Sequence, residues 1–80
     1  MFVEEWKVAA CFDGKVYWRR GRIRVAVQQC PCCLAAVDKV GVSGEWDYTS
    51  QEPSLKAIHV RTPCCGFLLS CPEHFGPVEL

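Results

Sequence analysis

Cys30-Pro31-Cys32-Cys33 is the stretch that decides the fold, because it places two thiols three positions apart around a proline. A second stretch of this form, Cys71-Pro72-Glu73-His74, ends on histidine instead of cysteine. Two ligands separated by two residues can sit on one tight turn and converge on a single ion, and the proline stiffens that turn. The spacing therefore predicts one zinc ion bound by Cys30, Cys33, Cys71 and His74.

A third cysteine turn lies between these two. Thr62-Pro63-Cys64-Cys65-Gly66 resembles the second half of such a turn, with Thr62 where the first thiol would stand. Cys65 is therefore an alternative to His74 as the fourth ligand, Cys64 is a further one, and a second metal ion bound by this pair stays open. We expect Cys11 and Cys32 to be small buried apolar residues without a ligand role, and the same interpretation stays open for one of Cys64 and Cys65.

The turns at Cys30 and Cys71 resemble the knuckles of zinc-ribbon and rubredoxin-like proteins. Each knuckle of that group reads Cys-Pro-X-Cys-Gly, whereas this chain has Leu34 and Phe75 at the glycine position. The resemblance is confined to the two turns, and these departures imply altered backbone geometry there. It implies a small zinc-ribbon-like domain, with iron as the alternative metal of a rubredoxin-like site.

Size and cysteine content agree with a metal-stapled domain. The 80 residues predict one domain over 1–80. So short a chain often needs disulfides, a bound metal ion or a partner subunit for stability. The cysteine count is seven, which is odd, and Glu4 and Glu5 do not fit a signal peptide. We therefore expect a cytoplasmic location, where clustered cysteines bind metal or act in redox chemistry. No apolar run approaches the roughly 18 residues of a membrane span, so no membrane partner is expected.

Outward from the turns, the sequence predicts a mainly β domain of four to six short strands. Residues 1–29 alternate apolar and polar side chains around Asp13-Gly14, which predicts an N-terminal β-meander with a tight hairpin turn. Gly21 is interpreted as a bulge or a further turn. Residues 30–75 form the predicted zinc-knuckle region. Its segments are predicted as a turn at Ser43-Gly44, a loop over 45–54 and strands over 55–61 and 67–70, followed by a fraying tail over 76–80.

The charges are unevenly distributed although the net charge is zero. Residues 1–29 hold six basic and three acidic residues, a net charge of +3, and residues 30–80 hold three basic and six acidic residues, a net charge of −3. This asymmetry suggests a basic face on the first part of the chain.

The basic face is predicted on the strand after the hairpin turn. On an unbroken strand one face would present Trp18, Arg20, Arg22 and Arg24. Arginines can contact phosphates, and Trp18 can stack on a base. The same row can bind an acidic protein surface. A solvated face balanced by Glu4 and Glu5 is the alternative interpretation.

The sequence indicates a binding protein more than an enzyme. It contains no serine–histidine–acid set, paired carboxylates or glycine-rich phosphate loop, so we expect no catalysis by the chain alone. The predicted function is a zinc-stabilised module or adaptor that contacts a protein partner or nucleic acid through its basic strand. The alternatives are an accessory subunit of a multi-protein enzyme complex, and a thiol redox or iron-binding electron-transfer protein. A histidine among the ligands favours zinc over iron.

Overall fold

A computed structural model describes residues 2–78, and the described chain contains five β-strands and no helix. The strands are β1 (Phe2–Phe12), β2 (Lys15–Val25), β3 (Gly41–Asp47), β4 (Ser54–Arg61) and β5 (Leu68–Leu69). They form two antiparallel sheets, with orders β1-β2 and β3-β4-β5. The predicted mainly β class is confirmed.

The first sheet is a two-stranded ribbon made by one long hairpin. All 11 residues of each strand are paired, from Phe2 opposite Val25 to Phe12 opposite Lys15. The connecting residues Asp13 and Gly14 both have positive φ, at 51° and 74°. Two successive positive φ values are typical of a type I′ turn, whose twist matches that of the strands. The predicted hairpin turn is confirmed.

Gly21 neither ends β2 nor starts a turn, so that interpretation was wrong. It pairs with Trp6 across the ribbon, and a Cβ atom at position 21 would overlap the indole ring of Trp6. The glycine makes room for a buried tryptophan on the opposite strand. As a result, residues 2–25 form one long hairpin with no further turn after Gly21.

The second sheet begins earlier in the chain than predicted. Ser43 and Gly44 lie inside β3, so the predicted turn there was wrong, as was the loop over the first residues of 45–54. A Cβ atom on Gly44 would lie 3.0 Å from side-chain atoms of both Val8 and Leu55. Glycine therefore allows the ribbon to pack closely against β3. The predicted strands over 55–61 and 67–70 are confirmed as β4 and β5.

A single buried cluster joins the two sheets and reaches the cysteine turns. Its members are Trp6, Val8, Ile23, Val25, Cys30, Val37, Val40, Val60, Leu69 and Phe75. Cys30 is thus both a thiol and a core residue. The expectation that Cys11 and Cys32 are buried was wrong, because both are exposed. Cys11 lies between Ala10 and Phe12, which turn towards the core, so the alternation of the strand directs Cys11 outward.

The segment after β5 is attached to the end of the ribbon. The backbone N–H of Ala26 donates to the carbonyl of His74 at 2.8 Å. The N–H of Gly76 donates to the backbone carbonyl of Arg24, also at 2.8 Å. Phe75 forms an isolated bridge with Val25. Of the predicted fraying tail, Gly76 is therefore held in place, and residues 79–80 lie outside the described residues.

Within residues 2–78 there is no helix with the length and apolarity needed to cross a membrane.

Candidate metal centre

The turn at Cys30 is closed by two backbone hydrogen bonds. Leu34 N–H donates to the carbonyl of Cys30, and Cys30 N–H donates to the carbonyl of Ala35, both at 2.8 Å. Leu34 has a φ of 64°, in the left-handed region that glycine adopts most easily. Leucine therefore adopts the left-handed conformation that closes this turn, at some conformational cost.

The turn at Thr62 has the same hydrogen bonds at the same positions. Gly66 N–H donates to the carbonyl of Thr62, and Thr62 N–H donates to the carbonyl of Phe67, both at 3.0 Å. Gly66 has a φ of 71°. The two turns therefore correspond residue by residue. Cys30 is equivalent to Thr62, Cys32 to Cys64 and Cys33 to Cys65.

Four thiols from these two turns meet in one cluster. The Sγ atoms of Cys30, Cys33, Cys64 and Cys65 all lie within 4.8 Å of one another. Cys30 Sγ is 3.4 Å from Cys65 Sγ, and Cys33 Sγ is 3.1 Å from Cys64 Sγ. Sulfur atoms around a tetrahedral zinc ion, with bonds of about 2.3 Å, are about 3.8 Å apart. The four thiols could therefore hold one metal ion with small side-chain adjustments.

The cluster has one buried side and one exposed side. Cys30 has 0% of its surface exposed and belongs to the hydrophobic core. The other three thiols belong to exposed residues. An ion bound here would be fixed to the core through Cys30, while the remaining ligands lie at the surface of the domain.

Thr62 occupies the position that corresponds to Cys30 and lines the cluster with a hydroxyl group. Its Oγ1 accepts from Phe67 N–H at 3.1 Å, which leaves its own proton free for Cys30 Sγ at 3.5 Å. This hydrogen bond is the main reason why the pKa of Cys30 is lowered to about 5, and the backbone N–H groups of Cys33 and Cys32 add to it against the effect of burial. The Thr62 hydroxyl therefore favours the thiolate form of Cys30.

The pKa of the Cys65 thiol shifts in the opposite direction. Its contact with Cys30, followed by burial, raises the pKa of Cys65 to about 12. A cation bound by all four sulfurs has to displace the thiol protons, since metal ligation needs thiolates. Metal affinity at this site is therefore expected to increase with pH.

The structure brings only half of the predicted ligand set together. Cys30 and Cys33 belong to the cluster, and so does the alternative ligand Cys65. Cys71 and His74 belong to no such group among the described residues. The polar atoms of their turn are used locally, because His74 Nδ1 accepts from the N–H of residue 70 at 3.0 Å and Cys71 Sγ donates to the carbonyl of residue 76 at 3.6 Å.

Cys64 is the member of the cluster that was least clearly predicted. The signal for it was present in the sequence, because 30–34 and 62–66 share proline at the second position and cysteine at the third and fourth. Aligning the two stretches pairs Thr62 with Cys30 and identifies a second complete turn. The spacing of two ligands three positions apart, taken alone, indicates Cys71 and His74 instead.

The residues predicted to bind a partner lie together on the ribbon. We define the outer face as the odd-numbered residues from Val3 to Cys11 of β1 and the even-numbered residues from Val16 to Arg24 of β2, all of which are exposed. It contains the predicted Trp18, Arg20, Arg22 and Arg24. Glu5 Oε1 lies 3.3 Å from Arg22 Nε on the paired strand. Glu5 is one of the two acidic residues predicted to neutralise the arginines, and it does lie on this face. Glu4 points to the other side.

Comparison of the chain with family models, with curated proteins and with solved structures gave no match. The geometry of the cluster and of the outer face is therefore the basis for a proposed function.

Cys64 and Cys32 provide a matched pair of variants, because they hold the same position in the two turns. Cys64→Ser is expected to weaken metal binding by roughly 100-fold or more, since even indirect changes around a metal site cost 10–100-fold. Cys32→Ser removes a thiol outside the group of four and should leave affinity unchanged. Competition with a chromophoric chelator measures both values. Equal losses in the two variants would contradict the assignment of Cys64 as a ligand.

Proposed function

We propose that the chain is a small zinc-stabilised binding module. Cys30, Cys33, Cys64 and Cys65 hold one zinc ion, which locks the two matching turns together, and the outer face of the ribbon binds an anionic partner. The observation that carries the proposal is the convergence of four thiol sulfurs within 4.8 Å of one another. Thiolate sulfur is the ligand type that structural zinc sites use most.

The ion in this proposal has a structural role and not a catalytic one. Four protein ligands complete the tetrahedron and leave no position for a reacting water molecule. Cys30 transmits the effect of the ion to the core, because it is fully buried there. The chain then has no catalytic activity of its own, and a role as an accessory subunit of a larger enzyme remains compatible with the same site.

The proposed partner is a protein or a nucleic acid that presents negative charge. The outer face holds four cations and one carboxylate, which give it a net charge of +3 in a chain of zero net charge. A cytoplasmic location is part of the proposal, since exposed free thiols persist in a reducing compartment.

An iron-binding electron-transfer protein is the second candidate. The observation that favours it is the all-sulfur composition of the cluster, because His74 lies outside the group and four thiolates also bind iron. Iron in such a site absorbs visible light, whereas zinc has a filled d shell and does not. The two candidates therefore differ in a simple spectrum.

Metal analysis of the protein purified under reducing conditions tests the proposal. We expect one zinc ion per chain by mass spectrometry and no visible absorbance. Cys11→Ser serves as the control, because Cys11 lies on the ribbon outside the cluster and its loss should leave one zinc ion bound. Iron with visible absorbance would replace the first candidate by the second, and protein that binds neither metal would contradict both.

A further inference from the structure

The ribbon formed by β1 and β2 has dimensions that would allow it to insert as one element into a groove of a partner molecule. Among residues 2–78, its two strands pair only with each other, apart from the bridge between Val25 and Phe75 at one end. Each strand has 11 residues, which corresponds to a length of about 37 Å. The major groove of B-DNA is about 12 Å wide and admits a two-stranded β-ribbon. One helical turn of DNA, about 34–36 Å, matches the length of the ribbon.

The cations of the outer face lie together in the half of the ribbon formed by residues 3–7 and 20–24. Arg20, Arg22 and Arg24 recur every second residue on β2, and Lys7 lies opposite Arg20 on β1. An open depression of about 510 Å³ lies beside three of these cations and is lined by Glu5, Trp6, Lys7, Arg20, Gly21 and Arg22. Arginine forms paired hydrogen bonds with guanine O6 and N7 in the major groove and also contacts phosphates. The face therefore offers both kinds of contact that a groove-binding ribbon needs.

Single-stranded nucleic acid fits this face less well. Proteins that bind single strands stack successive bases on aromatic side chains. Trp18 is the only aromatic residue on the outer face, and the Lys7 ammonium group already lies 3.8 Å from its ring centroid. A base that stacked on that side of the indole would have to displace the lysine. RNA duplexes are also disfavoured, because their major groove is too deep and narrow for side-chain readout.

We infer that the anionic partner is duplex DNA, and that the outer face of the ribbon lies in its major groove. The inference rests on the proposed function, since it names the partner of the face described there. Arg20, Arg22 and Arg24 contact bases and phosphates. Lys7 adds a fourth cation, and the opposite side of the ribbon stays packed on the protein core through Trp6.

Binding of the zinc-loaded full-length protein to labelled DNA tests this assignment. Fluorescence anisotropy with a duplex of about 20 bp, two helical turns, gives the affinity at two salt concentrations. Four neutralised phosphates predict a salt slope of about −3.6, so affinity should fall roughly 100-fold between 50 and 200 mM salt. Replacing guanine by 7-deazaguanine removes the N7 acceptor and should weaken binding, whereas a minor-groove ligand such as netropsin should not compete.

A charge-matched pair of triple variants locates the contact. The first variant, Arg20→Ala/Arg22→Ala/Arg24→Ala, should reduce the salt slope to about −0.9 and abolish most of the affinity. The second variant, Arg19→Ala/Lys39→Ala/Lys56→Ala, loses the same charge at exposed positions away from the outer face and should bind as the parent protein does. Circular dichroism and zinc content confirm that both variants are folded. Equal losses in the two would overturn the assignment to this face.

The remaining outcomes separate the inference from the proposed function. Tighter binding of a single strand of the same sequence, lost in Trp18→Ala, would overturn duplex recognition and keep an anionic partner on this face. Binding of a polyglutamate peptide through the three arginines, without DNA binding, would have the same consequence. Binding of none of these probes at 50 mM salt would overturn both the inference and the proposed role of the outer face. The zinc measurement would stand independently.

Discussion

Removal of zinc is expected to unfold the whole domain. Structural zinc sites in small peptides have apparent binding free energies of about 10–16 kcal/mol, and entire native domains are stable by only about 5–15 kcal/mol. At 80 residues this chain buries a modest share of its surface on folding, so its core alone contributes little net stability. The proposed ion would be coupled to that core directly, because Cys30 is one of the fully buried side chains.

The ribbon should be lost together with the cysteine turns. An isolated two-stranded hairpin is marginally stable in water, and β1–β2 depends on contacts with the core that Cys30 helps to form. Treatment with a strong chelator is therefore expected to remove the β-sheet signal in circular dichroism and to abolish the cooperative melting transition. Re-addition of zinc under reducing conditions should restore both.

Two controls make this experiment specific to the cluster. Cys11→Ser should melt at the same temperature as the parent protein and should respond to the chelator in the same way, because Cys11 is not among the four thiols. Chelator already saturated with zinc should have no effect. A melting transition that persists at its original temperature after full zinc removal would contradict the structural role proposed for the ion.

The parts of the site that could be predicted from the sequence are local. The turn at Cys30 could be predicted because its two thiols and its proline all lie within four residues. The turn at Thr62 was predicted only as half of such a turn, since threonine stands where the thiol pattern requires cysteine. The outer face needed only the alternation of an unbroken strand, which is why the placement of Trp18 and the arginines on one side was predictable.

The misinterpreted glycines show what is not local. Glycine in a strand pattern commonly marks a bulge or a turn, and this reading failed at both Gly21 and Gly44. Gly21 is required by the indole ring of Trp6 on the neighbouring strand, and Gly44 by the close approach of Val8 from the other sheet. Neither neighbour can be identified before the strands are paired and the sheets are packed.

The two tryptophans of the ribbon give a second large predicted effect, and each serves as the reference for the other. Trp6 is 4% exposed and Trp18 is 54% exposed, on opposite sides of the same hairpin. Trp6→Ala is expected to cost about 3–5 kcal/mol, as for other buried aromatic truncations. For a domain of this size the melting temperature should fall by roughly 12–40 °C. Trp18→Ala should cost about 0.5–1 kcal/mol through loss of the Lys7 contact.

The loss in Trp6→Ala should come entirely from packing. Its indole Nε1 is buried without a hydrogen-bond partner among residues 2–78, so truncation breaks no polar contact and removes only the ring that fills the space over Gly21. Thermal melts of both variants at saturating zinc measure the effect without interference from metal loss. Equal destabilisation by the two substitutions would contradict the assignment of the two faces. A large loss in Trp6→Ala with zinc still bound would show that the indole ring stabilises the core independently of the ion.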